Sequence, residues 1–357
     1  MFRFAPRLFF FLLLVLVGVN AYAADDDTTD NVTNKHAARK PVRKHAAKHQ
    51  IADGAASQKL VRHVTYLHGR RRVVLQRVAY SPVAAVPSMG DLEGLNQIHD
   101  ALDLKSNVAF VLDQSNAEVL FDKNADVALP IASITKLMTS LVVVEAHQDM
   151  NEVLEITDAD VDREKFSSSR LRPGTRMTRG DMLHIALMSS ENRAASALGR
   201  NYPGGLTAVV AAMNAKAREL GMTGAHYVEP TGLSSQNVAS ARDLAKLVAA
   251  AQKEPLLCQY STDSRYVVDA NGREMQYANS NHLVSNPTWD ILLQKTGYIT
   301  EAGHCLVMRA MIEGRSIVMV FLDSKGKDSR LGDASRIRKW LEAIKVTTPH
   351  IAIAQQS

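Results

Sequence analysis

The sequence predicts an α+β fold in which helices pack on an antiparallel sheet and a helical subdomain is inserted between the two halves of that sheet. Two short stretches, at residues 108–112 and 118–121, read as a β-hairpin. Helical spacing then dominates residues 151–259, and strand-like stretches return only after residue 290. Strands on both sides of a helical region favour one sheet that is completed late in the chain.

The first 23 residues have the organisation of a secretory signal peptide. Arg3 and Arg7 precede the apolar residues 8–19, and Ala21-Tyr22-Ala23 supplies an A-x-A cleavage site. The apolar stretch is shorter than the roughly 20 residues of a spanning helix, so we expect cleavage after Ala23 rather than a retained anchor. The protein is therefore predicted to be exported to the periplasm, with loose membrane or wall association left open.

Residues 24–90 are predicted to form a basic, mostly disordered tail. Residues 25–88 contain 12 Lys and Arg against 5 acidic residues, whereas residues 89–357 contain 28 basic and 32 acidic residues. Such a composition favours disorder, although residues 73–85 are apolar enough for part of them to pack. The positive charge would attract anionic envelope surfaces, with a plain spacer as the alternative. The slightly acidic remainder argues against a nucleic-acid substrate.

Residues 91–346 suit a single domain with a helical insertion at about 151–260, followed by a short C-terminal tail at 347–357. The predicted helices of the insertion lie at residues 179–188, 193–198, 206–220 and 241–251. The late strands are predicted at residues 291–298, 305–312 and 316–322, and the closing helix at 328–344. Glu313-Gly314 is a two-residue hairpin turn, because glycine supplies positive φ.

A serine and a lysine open the helix that follows the first hairpin. Ser133 and Lys136 are three residues apart at the start of an apolar run with helical spacing, so their side chains are expected on one face of the helix N-terminus. An uncharged amine there can take the proton of the hydroxyl, which is otherwise too weak an acid to attack a carbonyl. The pair is therefore a candidate nucleophile and base.

Two later motifs complete a candidate catalytic set. Ser190-Glu191-Asn192 follows an apolar helix, and Lys295-Thr296-Gly297 lies on a predicted strand. Lys295 is the candidate second cation that, together with burial, would lower the pKa of Lys136. The two cysteines, Cys258 and Cys305, could form a disulfide in an exported protein, but the sequence leaves this open. No metal site or cofactor is predicted.

These motifs resemble those of the serine D-Ala-D-Ala peptidases, the low-molecular-mass penicillin-binding proteins of the S11 family. The resemblance is strongest to D-alanyl-D-alanine endopeptidases of the penicillin-binding protein 7 type, and it extends over roughly residues 106–340. Residues 230–237, 240–244 and 295–306 also match segments typical of that family. The resemblance implies a β-lactamase/transpeptidase-like fold, peptidoglycan stem peptides as substrates and β-lactam antibiotics as covalent inhibitors.

The resemblance also implies roles for the site residues. Ser133 is the acylated nucleophile, Lys136 its base, and Ser190 a proton relay to the leaving amine. Asn192, Lys295, Thr296 and Gly297 are expected to bind the substrate, with Gly297 leaving room for the ligand against the strand. The backbone N–H groups of Ser133 and Tyr298 are the expected oxyanion hole.

Three alternatives remain at this stage. The first is a D-alanyl-D-alanine carboxypeptidase, which the short segment after Lys295 disfavours. The second is a β-lactamase, for which Glu155 or Glu164 would have to activate the deacylating water. The third is a non-catalytic wall-binding protein that works through its basic tail.

Overall fold

The computed structural model describes residues 57–67, 70–80 and 86–347, with side chains described for most of them. The predicted signal peptide and the residues after 347 lie outside this range. The chain divides into two compact units, residues 1–82 and 83–357. Among the described residues, none of the helices has the length and apolar character needed to cross a membrane.

The strands and helices of the described residues run in the following order. The strands are β1 (Ser57–Leu67), β2 (Arg70–Tyr80), β3 (Ser106–Asp113), β4 (Glu118–Lys123), β5 (Leu129–Pro130), β6 (Val153–Glu155), β7 (Arg176–Thr178), β8 (Val238–Ala239), β9 (Arg265–Ala270), β10 (Arg273–Ala278), β11 (Asp290–Ile299), β12 (Gly303–Ile312) and β13 (Arg315–Ser324). The α-helices are α1 (Met89–Leu92), α2 (Thr135–Glu145), α3 (Arg179–Met188), α4 (Asn192–Arg200), α5 (Gly205–Glu219), α6 (Ala241–Ala251), α7 (Pro255–Thr262) and α8 (Ser329–Thr347).

The first unit contains an antiparallel hairpin. Strands β1 and β2 pair along their full length, from Ser57 opposite Tyr80 to Leu67 opposite Arg70. These strands fall within the tail that was predicted to be mostly disordered, so that prediction is wrong for them. Val64 lies opposite Val73, and cross-strand pairing of β-branched residues stabilises a ladder that net charge alone would not predict.

The second unit is built on a five-stranded antiparallel sheet with the order β11-β12-β13-β3-β4. This confirms the predicted α+β fold and its late completion, since three strands from the end of the chain join β3 and β4. Every predicted strand is present and is one or two residues longer at one or both ends. Strand β11, which carries Lys295, is an edge strand of this sheet.

Both faces of the sheet are covered by helices. Along β3, Val108 and Phe110 belong to the core that contains α2, whereas Ala109 and Val111 pack with Leu331 and other residues of α8. The two-residue alternation of a strand therefore separates the two cores. Helix α2 lies in the larger core and is buried from Thr135 to Val143, so a helix that carries a lysine has almost no exposed face.

The insertion contains the predicted helices and also elements that were not predicted. The ribbon β6–β7 precedes α3, and helix α7 starts with Pro255 at its first turn. Directly after the insertion, β9 and β10 form a hairpin that was not predicted either. Asn271-Gly272 joins the two strands, and both residues have positive φ. An Asn-Gly pair between two strand-like stretches is a strong hairpin signal.

Candidate active site

Ser133 lies in a tight turn that leads directly into α2. Residues Ala132–Ile134 form a 3-10 turn, and α2 begins at Thr135. Ala132 has a φ of +48°, a backbone conformation that non-glycine residues adopt at an energetic cost. The predicted placement of the serine at a helix N-terminus is correct, and the residue before it, Ala132, is held in a sparsely populated backbone conformation.

Two glycines allow neighbouring segments to pack against this turn. A Cβ at Gly232 would lie 2.0 Å from the carbonyl oxygen of Ala132, and one at Gly297 would lie 2.9 Å from that of Ile131 and 3.1 Å from the Ser133 nitrogen. Any side chain would therefore push the nucleophile out of place. The space at Gly297, predicted to accommodate a ligand, is occupied here by the protein's own backbone.

Lys136 is fully buried, and its amine contacts the nucleophile. Its Nζ lies 2.8 Å from Ser133 Oγ, 2.7 Å from Asn192 Oδ1 and 2.5 Å from the carbonyl oxygen of Thr231. Burial lowers the pKa of Lys136 to about 8, and the nearby carboxylates of Glu229 and Glu191 act in the opposite direction. The amine can therefore exist in its neutral form near physiological pH while it faces the serine hydroxyl.

Lys295 is the second fully buried lysine of the site. Its Nζ lies 2.9 Å from Ser190 Oγ and 2.8 Å from the carbonyl oxygen of Thr296. Burial holds the pKa of Lys295 well below its usual value, and the positive charges of Lys136 and Arg330 lower it further. The structure thus brings together Ser190 and Lys295, which are 105 residues apart in the chain.

Asn192 connects Lys136 to the loop before β7. It is the first residue of α4, and its amide donates from Nδ2 to Ser167 Oγ at 2.9 Å while Oδ1 accepts from Lys136. Ser190, two residues earlier, has a φ of +64°. Asn192 is predicted to contact the substrate peptide. In this structure, both Oδ1 and Nδ2 of its amide are already hydrogen-bonded within the protein.

The residues after Lys295 continue edge strand β11 past the turn that contains Ser133. Thr296 Oγ1 lies 2.7 Å from Ser280 Oγ. Tyr298 is 56% exposed, and its ring stacks on His304 with centroids 4.3 Å apart. Burial and the charge of Arg330, whose Nη1 is 2.7 Å from His304 Nδ1, lower the pKa of His304 to about 4, so the stacked imidazole is neutral at physiological pH.

Glu229 organises the loop that supports Lys136, and the sequence had assigned it no role. Its carboxylate accepts hydrogen bonds from Thr231 N, Thr231 Oγ1 and Gly232 N at 2.6 Å, and from Asn237 Nδ2 at 2.7 Å. A carboxylate with four donors fixes the loop, which in turn places the Thr231 carbonyl on Lys136 and Gly232 on Ala132.

Asn237 ties the other end of this loop to α2. Its side chain is fully buried, accepts from Val228 N at 2.7 Å and donates to Thr135 Oγ1 at 3.2 Å. Thr135 Oγ1 in turn donates to the Ala132 carbonyl at 2.8 Å. In the sequence, residues 230–237 were recognisable as a segment typical of the family. Their turn-forming residues did not indicate that this loop supports Ser133.

A cavity of about 590 Å³ opens beside these residues. Asn192, Glu229 and Thr231 lie at one wall, and the loop of residues 159–164 lies at another. Glu164, weighed as a deacylating base, lines this cavity and is exposed, whereas Glu155 is an exposed residue of β6. Asn192 and Thr231, which both contact Lys136, line this cavity, whereas Ser133 does not, and the cavity has room for a ligand much larger than water.

His184, on the helix before Ser190, has structural contacts. It is buried between the rings of Tyr260 and Tyr266, with centroid distances of 4.1 and 3.7 Å, and its Nε2 lies 3.0 Å from Asp263 Oδ2. Within residues 57–67, 70–80 and 86–347, no cluster of side chains could hold a metal ion, and Cys258 and Cys305 are free thiols.

Comparison with known proteins identifies close relatives. A family profile described as D-alanyl-D-alanine carboxypeptidase, peptidase S11, matches residues 96–326. The D-alanyl-D-alanine endopeptidase of Pseudomonas aeruginosa is 49% identical over 247 residues, covering 69% of this chain and 80% of the relative. The D-alanyl-D-alanine endopeptidase of Escherichia coli is 43% identical over 246 residues, covering 68% and 79%.

Solved structures share the fold. The Streptomyces K15 DD-transpeptidase is 25% identical and superposes with a TM-score of 0.63, covering 67% of this chain and 98% of that structure. Penicillin-binding protein D2 of Listeria monocytogenes, solved in its ampicillin-bound form, is 26% identical with a TM-score of 0.59, covering 68% and 98%. The second unit of the chain therefore has the architecture of penicillin-binding proteins.

Proposed function

The chain belongs to the S11 family of D-Ala-D-Ala peptidases, and we propose that it is a serine endopeptidase that hydrolyses D-alanyl cross-links between peptidoglycan stem peptides. The observation that carries this proposal is the 2.8 Å contact between Ser133 Oγ and the amine of a fully buried Lys136. A lysine with a pKa of about 8 is neutral in about a tenth of the molecules at pH 7, which is enough for it to serve as a base.

In the acylation step, Lys136 takes the proton of Ser133 while Oγ attacks the carbonyl carbon of D-alanine. The new ester bond forms as the amide C–N bond breaks, and the proton leaves with the amine. Ser190 is the proposed relay for that proton, because its hydroxyl is already oriented by Lys295 at 2.9 Å. Water then hydrolyses the ester and frees Ser133.

Negative charge that develops on the carbonyl oxygen needs donors close to the nucleophile. The backbone N–H groups of Ser133 and Tyr298 are the proposed pair, and the close approach of Gly297 to the Ser133 nitrogen supports their proximity. One such donor contributes about 10²- to 10³-fold to the rate. Thr296 and Lys295 are the proposed contacts for the negative end of the substrate, and Asn192 for the acyl-donor peptide.

Two observations bear on endopeptidase against carboxypeptidase activity. The relatives at 49% and 43% identity are named endopeptidases, whereas the family description names a carboxypeptidase. Purified protein should be incubated with cross-linked muropeptide dimers and, separately, with monomeric pentapeptide. We expect monomers from the dimers; release of free D-alanine from pentapeptide without dimer cleavage would instead assign the carboxypeptidase.

β-Lactams are proposed as covalent inhibitors that acylate Ser133. A fluorescent penicillin should form a long-lived adduct that is absent in Ser133→Ala and maps to the Ser133 peptide by mass spectrometry. Prompt turnover of the penicillin would assign a β-lactamase. A biological effect that Ser133→Ala retains in full would assign a non-catalytic role.

Export to the periplasm is proposed on the signal-like segment at residues 1–23. Expression of the full chain in a Gram-negative host, followed by fractionation and mass analysis, should yield a periplasmic protein that begins at Ala24. An intact N-terminus in the cytoplasm would contradict this.

A further inference from the structure

The hairpin β1–β2 carries positive charge without any compensating acid. Residues 57–80 contain six Lys and Arg residues and no Asp or Glu, and the nearest acidic residues in the chain are Asp53 and Asp91. Residues 89–357 are slightly acidic. Attraction to an anionic surface is therefore concentrated in this hairpin, which the peptidase chemistry does not use.

The register of the hairpin places aliphatic and cationic side chains on one face. Val64 is opposite Val73 and Arg62 is opposite Leu75, and Arg71 lies two residues before Val73. Directly opposed residues and residues two apart share a face of an antiparallel pair. All five side chains are exposed, with Val64 at 40%, Val73 at 43% and Leu75 at 62%.

We propose that this face binds the surface of an anionic phospholipid bilayer. Arginine guanidinium groups pair with phosphate oxygens, and exposed aliphatic side chains next to them can enter the boundary between headgroups and acyl chains. A purely polar polyanion would be bound by the arginines alone, and three solvated aliphatic side chains would then have no purpose. Only a bilayer can bury these aliphatic side chains while the arginines on the same face bind phosphate, so the combination favours lipid over a soluble polyanion.

The proposal is tested by flotation of the whole mature protein with two kinds of vesicle. One kind contains phosphatidylethanolamine and phosphatidylglycerol, and the other contains phosphatidylcholine only. We expect flotation with the anionic vesicles, weakened by added salt because exposed charges are screened, and little flotation with phosphatidylcholine. Equal binding to both vesicles, or none to either, would overturn the proposal.

Three variants separate insertion from simple charge attraction. The triple variant Val64→Thr, Val73→Thr, Leu75→Thr replaces three aliphatic side chains with β-branched threonine, which favours strands, and it keeps all charges. We expect about a tenfold loss of vesicle binding. The double variant Arg62→Gln, Arg71→Gln should lose vesicle binding to a similar extent. Val74→Thr is the matched control, since Val74 is also exposed but lies on the opposite face.

Two results would contradict lipid binding by this face. If the triple threonine variant binds as well as wild type while the arginine variant does not, the surface recognises polyanions without inserting. If Val74→Thr loses as much binding as the triple variant, the face is wrongly assigned. Far-UV circular dichroism of each variant checks that the strands persist, and penicillin acylation, which reports the proposed peptidase function separately, should be unchanged in all of them.

Discussion

Lys136 and Lys295 are both fully buried, and each amine contacts a motif serine, yet their surroundings differ in charge. Lys136 meets Asn192 Oδ1 and the Thr231 carbonyl, and two carboxylates, Glu229 and Glu191, raise its pKa. Lys295 is near two positive groups, Lys136 and Arg330, which lower its pKa. The pKa therefore differs between the two lysines of this site.

The difference shows that the motifs identify the groups, whereas the neighbours set their protonation. The sequence suggested that the charge of Lys295 would lower the pKa of Lys136. In the structure, burial lowers the pKa of both lysines, and the repulsion between the two amines disfavours the state in which both carry a proton. We expect a substrate carboxylate at Lys295 to draw the positive charge there and leave Lys136 neutral as the base.

The largest expected effect is that of Lys136→Ala. This change removes the only proposed base in contact with Ser133, so penicillin acylation should fall about 10³- to 10⁴-fold. Stopped-flow measurement with a fluorescent penicillin would show this, and thermal unfolding would verify that the variant is folded. A rate within tenfold of wild type would exclude Lys136 as the base.

Lys295→Ala should have a smaller effect, of about 10²-fold. Lys295 contacts Ser190 and the proposed carboxylate site but not Ser133, so the nucleophile and its base remain. We expect a higher KM for substrates that carry a carboxylate, together with a lower kcat. If the loss equalled that of Lys136→Ala, the two lysines would have equivalent roles and the comparison would fail.

Glu229→Ala tests the loop that supports Lys136 but not Lys295. Loss of a carboxylate with four donors should reduce acylation about tenfold and lower the free energy of unfolding by about 2–4 kcal/mol. Acylation kinetics and urea denaturation would measure both. Glu155→Ala, at an exposed carboxylate of β6, is the control and should change neither quantity.

The smallest expected effect is a shift of the pH profile. Because the neutral amine is the active form, acylation should rise with pH and level off above about pH 8. Glu191→Gln removes a charge that raises the pKa of Lys136, so its profile should move to lower pH by about half a unit. The Glu191 side chain accepts a hydrogen bond from Arg193 N at 3.4 Å, which a glutamine side chain can also accept.

A matched variant makes this shift interpretable. Glu155→Gln removes the same charge at an exposed residue of β6 that does not contribute to the pKa of Lys136, and it should leave the profile in place. A Glu191→Gln profile that moves to higher pH, or that does not move, would contradict the assignment of Lys136 as the titrating base.

Much of the fold was predictable because its signals are local. The short apolar runs of β3, β12 and β13, and the three- and four-residue spacing of α2 and α3, are visible in short windows of sequence. The hairpin β1–β2 was missed because its high positive charge was interpreted as a signal of disorder. Strand pairing depends on cross-strand partners that composition does not reveal.

The sequence by itself determined that Ser133 and Lys136 meet, because a helical turn places residues three apart on the same face whatever surrounds them. It also identified the later motifs and the strand that carries Lys295. Only the tertiary structure decided that Lys136 binds Asn192 and Thr231, 56 and 95 residues away, and that Glu229 fixes the supporting loop. These contacts, and the burial that sets both pKa values, arise from the packing of distant segments, which local spacing cannot specify.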